Sequence, residues 1–321
     1  MTGSGPASLR PPNKSPRPSP LRRSPSPADK VVAGYLAIIG ALILLFAFRV
    51  PLWWMLVPAH CIAIGATWLI GRWLGESAAS SSDPSATGIS EKRRLRRFFR
   101  SWYPLFLIPL TYKELSYLIP RIHPTDLDWQ LEAIDIRLFG VNPTLCLERV
   151  TYPALSEIFQ IAYTSYYILP VVLGIMIWLR NPKAFGFYVY LIVLAFYLSY
   201  LGYISVPAIG PRFILAGQFS KPLGGLLLAE PIRRMLDHAE GITRDCFPSG
   251  HTELTMVVLY SAWRFHRPSF GWMLPVGTAL IIATVYLRYH YVVDVLAGAL
   301  LALLIMAVAR PLYARLGGTE F

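Results

Sequence analysis

Two histidines, an aspartate, an arginine and a Ser-Gly pair are the residues of this 321-residue chain whose types and spacing could do chemistry. Pro248, Ser249, Gly250 and His251 stand in a row just where an apolar stretch begins. His290 and Asp294 lie four apart in TVYLRYHYVVDVLAG, residues 284–298. On a helix that spacing puts both on one face, within reach of each other. An Asp that holds a His in one tautomer makes the other ring nitrogen a better nucleophile or base. Arg212 can grip phosphate oxygens with a bidentate fork. The helix that starts after Pro248 offers free N–H groups and a positive dipole end to an anion, and Ser249 adds a hydroxyl donor. Together the set suits phosphoryl transfer: one His attacks phosphorus and the other protonates the leaving oxygen. No carboxylate cluster suggests a metal, so the reading assigns no metal and no cofactor. Charge stabilisation falls to Arg212 and backbone N–H groups.

The elements that must position these residues are apolar. Of the residues 55% are hydrophobic and only 15% charged, with a mean hydropathy of +0.46. A membrane-crossing helix needs roughly 20 mostly apolar residues. Candidate blocks run at about 31–50, 51–74, 102–120, 155–179, 184–206, 247–265, 270–288 and 291–309. The expected fold is all-α, a polytopic membrane helix bundle of about eight transmembrane helices. Residues 1–29 read as a disordered basic Pro/Ser-rich tail, 30–75 as two extra transmembrane helices, 76–100 as a basic linker and 101–315 as the membrane domain carrying the site. In 121–154, Leu127, Leu131, Ile134 and Leu138 recur at helical spacing, which predicts a short helix in the membrane interface with Asp128 and Asp135 on its polar face.

The net charge of +12 excludes little by itself. Its Lys and Arg residues cluster between apolar blocks, as the positive-inside rule demands, so nucleic acid is not an expected partner. Following the basic clusters puts both termini in the cytoplasm and each inner loop on a basic stretch. One outer loop breaks the rule: 207–246 carries Arg212, Lys221, Arg233, Arg234 and Arg244. An anionic substrate is the simplest reason. Two crossings separate His251 from His290, so both face one side of the membrane, with Arg212. The three cysteines, Cys61, Cys146 and Cys246, have neither metal spacing nor a disulfide framework, and read as free thiols.

PSGH at 248–251 followed by HYVVD at 290–294 resembles the type 2 phosphatidic acid phosphatase superfamily of membrane lipid phosphatases. LEAIDIRLFGVNP (131–143), YTSYYILP (163–170) and YISVPAIGPR (203–212) look like the branch related to inositol phosphorylceramide synthase. The likeness covers roughly residues 100–310. It implies a six-helix-type lipid phosphatase core, His290 as nucleophile, Asp294 as its partner, His251 as general acid, and Arg212, Ser249 and Gly250 as phosphate ligands. Ser205, Phe213 and Thr284 stand where the superfamily has Lys, Pro and Arg. Lys221, Arg244 or Arg288 are the candidates to replace the missing cations.

Other polar residues read more plainly. His60 and His266 suit packing, Lys113 and Glu114 pair with neighbours or snorkel, and Glu253 stands two after His251 with the site in possible reach. The expected activity is transfer of phosphoryl from a lipid phosphate to water or to a lipid hydroxyl, among membrane lipids at the outer face of a bacterial-type plasma membrane. A head-group phosphotransferase like inositol phosphorylceramide synthase is the specific alternative. A non-catalytic transporter or lipid-binding scaffold is the alternative from another class, and broken mid-membrane helices would favour transport. The charge pattern sets a direct test of sidedness. In a chain without other reactive thiols, an impermeant reagent should label a cysteine at Ser220 and spare one at Ser82. The reverse pattern would turn the topology over.

Overall fold

A computed structural model describes residues 25–79, 91–241 and 244–319, with backbone only at 72–79 and 92–94. It contains thirteen α-helices: α1 (Pro27–Leu45), α2 (Trp53–Ala79), α3 (Glu91–Ile122), α4 (Asp128–Phe139), α5 (Pro143–Leu147), α6 (Pro153–Thr164), α7 (Leu169–Arg180), α8 (Pro182–Ser205), α9 (Pro211–Ile214), α10 (Ala229–Glu240), α11 (Gly250–Phe265), α12 (Arg267–Tyr286) and α13 (Val292–Arg315). No strand occurs among the described residues. Among the described residues, five segments are long and apolar enough to cross a membrane: α1, residues 53–71 of α2, α8, α12 and α13. The pair α6–α7, bent by 47° at its break, makes a sixth if counted as one span. The remaining two apolar blocks fall short by that measure. The apolar stretch of α3 is interrupted by Lys113, Glu114 and three prolines, and α11 has only 16 residues.

Local sequence explains where the helices start. Ser26 and Asp29 form a reciprocal capping box, so α1 begins at Pro27, inside the stretch assigned to the tail. Residues 1–24 lie outside the described part. The linker assignment shrinks likewise: α2 runs to Ala79 and α3 begins at Glu91, with 80–90 outside the described residues. The break after α6 falls at Ser165–Tyr167, just before Pro170 enters the first turn of α7. A proline's missing N–H and fixed φ suit a helix start and not its interior. The break is therefore built into the sequence, and it lines a cavity.

α8 is the hub. Its tyrosines, phenylalanines and aliphatics are buried along nearly its whole length, packed on α1, α3, α7, α11 and α13. α1 belongs to this core: Tyr35 stacks on Tyr197 with ring centroids 4.1 Å apart. α2 is the outermost helix, joined to the bundle by its packing on α1 and α3 and by His60 Nε2, 3.3 Å from Glu114. Helix ends sort into two groups. At one end Arg100 pairs with buried Asp29 at 2.6 Å, and Lys30 Nζ donates to the Leu316 carbonyl at 2.6 Å. At the other end Ser249 N donates to the Asp294 carbonyl at 3.0 Å, and Arg49 donates to the Ile122 carbonyl at 3.4 Å.

The helix α4 is where sequence reasoning needs correcting. Ile134 and Leu138 are exposed, as an interfacial helix requires, but Asp128 and Asp135 are buried and face the bundle with Leu131. They are not a solvated polar face. Asp128 accepts from Ile209 N at 2.8 Å, Gly210 N at 2.7 Å and the Tyr291 hydroxyl at 3.2 Å. Asp135 accepts from Val292 N and Val293 N, both at 2.8 Å, and so caps α13 from a different element. The first N–H groups of a helix have no partner within it, and a carboxylate there also meets the positive dipole end. Asp135→Ala strips two buried donors of their acceptor, at about 1–3 kcal/mol for such a group. A drop of several degrees in the melting temperature of the detergent-solubilised protein is expected. An unchanged melting temperature would mean that α13 does not depend on this cap.

Candidate active site

His290 sits in the loop between α12 and α13, not on a helix. The turn is made by Arg288, whose φ of 66° lies in the left-handed region, and by the Thr284 carbonyl, which accepts from Tyr289 N at 2.9 Å and His290 N at 3.0 Å. α13 starts two residues later, and Asp294 is in its first turn. Its Oδ2 accepts from Tyr291 N at 2.8 Å and lies 3.5 Å from His290 Nδ1. The four-residue spacing thus brings the pair together around a helix N-terminus rather than along a helix face. Cys246 adds a third member: its thiol donates to the same Oδ2 at 2.8 Å and stands 3.6 Å from Nδ1. Gly298 lets α13 pass the start of α11, since a Cβ there would meet the Ser249 carbonyl oxygen at 2.3 Å.

His251, in the first turn of α11, is clasped between two tyrosines. Tyr163 stacks on it with ring centroids 4.3 Å apart, Tyr166 lies tilted against it at 4.1 Å, and Tyr289 stacks on Tyr163 at 4.3 Å. The rings of His251 and His290 are 5.6 Å apart. Nε2 of His251 is buried without a hydrogen-bond partner.

Two cavities meet at this imidazole. One, of about 300 Å³, is lined by polar groups that include Arg212, Asp237, Glu240, Asp245, His251 and His290. The other, of about 590 Å³, is mostly apolar, lined by Leu105, Ile108, Val171, Ile192 and Phe196 among others, and it shares His251, Glu240 and Asp245 with the first. The α6–α7 break contributes Tyr166, Tyr167 and Ile168 to this apolar chamber. Lys113 donates to the Ala239 carbonyl, and to that of Glu240 at 2.9 Å, so its ammonium caps the C-terminal end of α10.

Arg212 reaches the polar chamber from α9. Gly210 before it has φ 99°, and a Cβ would lie 2.7 Å from the Tyr289 carbonyl oxygen, so the chain can turn here only without a side chain. The guanidinium grips Asp237 of α10 with both arms, at 2.9 and 2.5 Å, and lies 5.4 Å from the Tyr289 ring centroid. Burial works against its charge, but the Asp237 fork holds its pKa above the ordinary value. Glu240 is pushed up to about 7, first by burial and next by Asp245, while its bond from Tyr167 opposes this. Asp245 is also raised by burial, against the pull of its 2.6 Å bond from Tyr112 and of His290.

Of the residues chosen from sequence, Arg212, His251 and His290 line one chamber, and Asp294 stands behind His290. Ser249 is fully buried and its oxygen accepts from Thr252 N at 3.3 Å, so it serves as the cap of α11. Gly250 fits under Tyr203, whose hydroxyl a Cβ would meet at 2.2 Å. The three auxiliary cations lie elsewhere. Arg244 pairs with Asp126 at 2.6 Å. Arg288 donates to the Lys221 carbonyl at 2.9 Å and covers the Phe219 ring, and Lys221 is exposed beside Glu148. Glu253 turns to Ser199 on α8. Ser205 and Thr284 bond carbonyls of their own helices. Cys146 and Cys246 are free, as is Cys61. Sequence reasoning passed over Asp237, Glu240, Asp245, Cys246 and the clasping tyrosines. Asp245 and Cys246 directly precede the PSGH run, and Tyr163 and Tyr166 open YTSYYILP, so proximity to those motifs was the available signal.

The PAP2 superfamily model matches residues 130–308, more than half of the chain, and the chain belongs to that superfamily. It is 29% identical over 170 residues to a PA-phosphatase related-family protein of Dictyostelium discoideum, covering 44% of this chain and 30% of that protein. It is 26% identical over 239 residues to an inositol phosphorylceramide synthase of Candida albicans, covering 68% of this chain and 49% of that protein. The chain therefore spans less than half of the length of these relatives. No solved structure matches. The apolar helices and the superfamily together make it an integral membrane protein.

The acidic rim has a pH signature. A carboxyl raised to about 7 is preferred neutral by the fold. Its contribution to stability is complete below the ordinary carboxyl range and is lost as pH rises through about 7. Ionised, it joins Asp237 and Asp245 in opposing an anion near Arg212. Affinity for sulfate, whose charge is constant over this range, should therefore fall as pH rises through 7. The fall should be smaller in Glu240→Gln. Identical profiles for the two proteins would remove Glu240 from the electrostatics of the chamber.

Proposed function

We propose that this protein is a membrane phosphatase/phosphotransferase that acts on a phosphorylated lipid at the extracytoplasmic face through a phosphohistidine intermediate. The observation that carries the reading is the pair of imidazoles, 5.6 Å apart, in a chamber with Arg212 and backed by Asp294. The lipid phosphate lies in the polar chamber and its chains in the apolar one. Arg212 exchanges Asp237 for phosphate oxygens. His290 attacks phosphorus through the ring nitrogen that does not face Asp294, and Asp294 favours the imidazolium that results. His251 protonates the departing lipid oxygen, then takes the proton of water or of a lipid hydroxyl in the second step. Every step is assigned to a side chain of this chain, with no metal. The lumen of the site opens away from the cytoplasm, and both termini lie inside, in a bacterial-type plasma membrane.

The charge of the chamber favours one version, transfer of a phosphorylated head group from a phosphodiester lipid, as in the inositol phosphorylceramide synthase reading. Arg212 faces three carboxylates there, Asp237, Glu240 and Asp245. Ser205 and Thr284 replace two cations of the wider superfamily pattern. A phosphomonoester carries about −1.5 to −2 at neutral pH, and a diester carries a single charge. The diester meets less repulsion, and carboxylates are good acceptors for a head group rich in hydroxyls. A transporter reading draws only on the α6–α7 break, and that break lines the apolar chamber beside His251.

The test uses radiolabelled lipids in chelator. Wild type should turn over a phosphatidylinositol-type diester at higher kcat/KM than phosphatidic acid. His290→Ala should lose turnover, by about 10⁴-fold or more, together with any acid-labile, base-stable phosphoryl label. His251→Ala should lose about 10²–10⁴-fold with a lipid alcohol as leaving group and far less with p-nitrophenolate. Activity retained in His290→Ala, or equal defects of His251→Ala on both leaving groups, would overturn the assigned roles. A preference for the monoester would leave a phosphatase and remove the transferase version.

A further inference from the structure

On the Nδ1 side of His290, three potential ligands crowd together in the buried wall of the polar chamber. Cys246 Sγ, His290 Nδ1 and Asp294 Oδ2 form a triangle with sides of 3.6, 2.8 and 3.5 Å. All three residues are buried. The point equidistant from those atoms lies about 1.9 Å from each, by the geometry of that triangle. A zinc ion wants bonds of about 2.3 Å to sulfur and about 2.0–2.2 Å to imidazole nitrogen or carboxylate oxygen. It would satisfy all three by sitting slightly out of their plane. A second observation points the same way: Asp294 Oδ1, the other oxygen of the carboxylate, is buried without any hydrogen-bond partner. Cys246 and His290 both line the polar chamber, which supplies a route in and a water for the fourth position.

We propose that Cys246, His290 and Asp294 form a binding site for a soft divalent transition-metal ion, zinc or cadmium, and that its occupation inhibits the enzyme. A thiolate with an imidazole selects such ions against magnesium and calcium, which take oxygen ligands. Binding releases the Cys246 thiol proton to solvent and moves the Nδ1 proton to Nε2, so that a neutral imidazole ligates through Nδ1. Burial beside Asp294 holds the thiol above its ordinary pKa, so the metal–sulfur bond must offset that deprotonation. Once bound, the ion takes Nδ1 and Oδ2 away from each other. It also leaves the opposite nitrogen protonated, without the lone pair that attack on phosphorus needs. The inhibitory half rests on the proposed role of His290, whereas the binding half does not.

Binding can be read without activity. In protein carrying Cys61→Ser and Cys146→Ser, purified in chelator and then freed of it, cadmium should raise the ultraviolet charge-transfer band of a cadmium–thiolate. Saturation is expected at one equivalent, zinc should displace the band, and excess magnesium should not. Adding Cys246→Ser should abolish the band, since the hydroxyl keeps a donor to Asp294 but is not a soft ligand. Cys246→Ala is the second variant, should serine disturb the packing. In parallel, the zinc concentration that halves turnover, each protein normalised to its own metal-free rate, should rise tenfold or more in Cys246→Ser. No band with Cys246 as the sole cysteine, or an equal band after its replacement, overturns the site. A band that depends on Cys246 with undiminished turnover keeps the site, overturns the inhibition and counts against His290 as the nucleophile.

Discussion

Three buried carboxylates that accept backbone N–H groups hold the site together. Asp128 takes Ile209 N and Gly210 N just before Arg212, and the Tyr291 hydroxyl just after His290. Asp135 takes the first two N–H groups of α13. Asp294 takes Tyr291 N and stands beside His290 Nδ1. Burying a carboxylate is expensive unless its charge is met by donors. Here the donors are the orphan N–H groups that every helix start and turn must satisfy somehow. Each cost cancels the other, and the by-product is a loop held where the bundle needs it. Arg212 and His290 lie on separate segments far apart in sequence, yet Asp128 alone binds both segments.

The second organising feature is the position of His251 between a polar and an apolar chamber. An amphiphile has its scissile phosphorus at the junction of its two halves. In the proposed mechanism the general acid at the same junction protonates the oxygen that links phosphorus to the lipid. Tyr163 stacks on the imidazole and Tyr166 packs tilted against it, and such contacts are worth about 0.5–1.5 kcal/mol beyond simple burial. They also leave Nε2 without a competing partner. The bend in α6–α7, which in isolation resembles the broken helix of a transporter, provides Tyr166 and the wall of the apolar chamber.

The polar chamber carries three acidic residues beside Arg212. Asp237 occupies the fork of Arg212, which keeps the guanidinium extended and oriented instead of free to wander. In the proposed mechanism a phosphate replaces that carboxylate with another doubly coordinating anion, an exchange nearly neutral in charge for a diester and more repulsive for a monoester. The soft-metal triangle belongs to the same economy of buried donors: the hydrogen bond from Cys246 that steadies Asp294 also leaves sulfur beside a nitrogen and an oxygen at ligand spacing.

The sequence alone determined the class of protein. Blocks of apolar residues of membrane-crossing length, the basic clusters between them and the PSGH and HYVVD motifs are local properties, and the all-α bundle and the superfamily follow from them. The convergence of Arg212, His251, His290 and Asp294 was legible too, because parity of crossings puts segments on one side whatever their packing. The reason for the His290–Asp294 contact was not legible: α13 starts between them, and its start depends on Asp135, more than 150 residues away in the chain. Asp128 and Asp135 looked like a solvated face because periodicity counts polarity and cannot see that a buried carboxylate has found backbone donors. Ser249, Lys221, Arg244 and Arg288 carried suitable chemistry for phosphate, but side-chain direction sent Ser249 into a helix cap and tied the cations to Glu148, Asp126 and loop carbonyls. The acidic rim, the tyrosine clasp and the thiol behind Asp294 were decided only by the tertiary structure. Each joins residues from different helices, and no spacing along one chain segment encodes a distance between two helices.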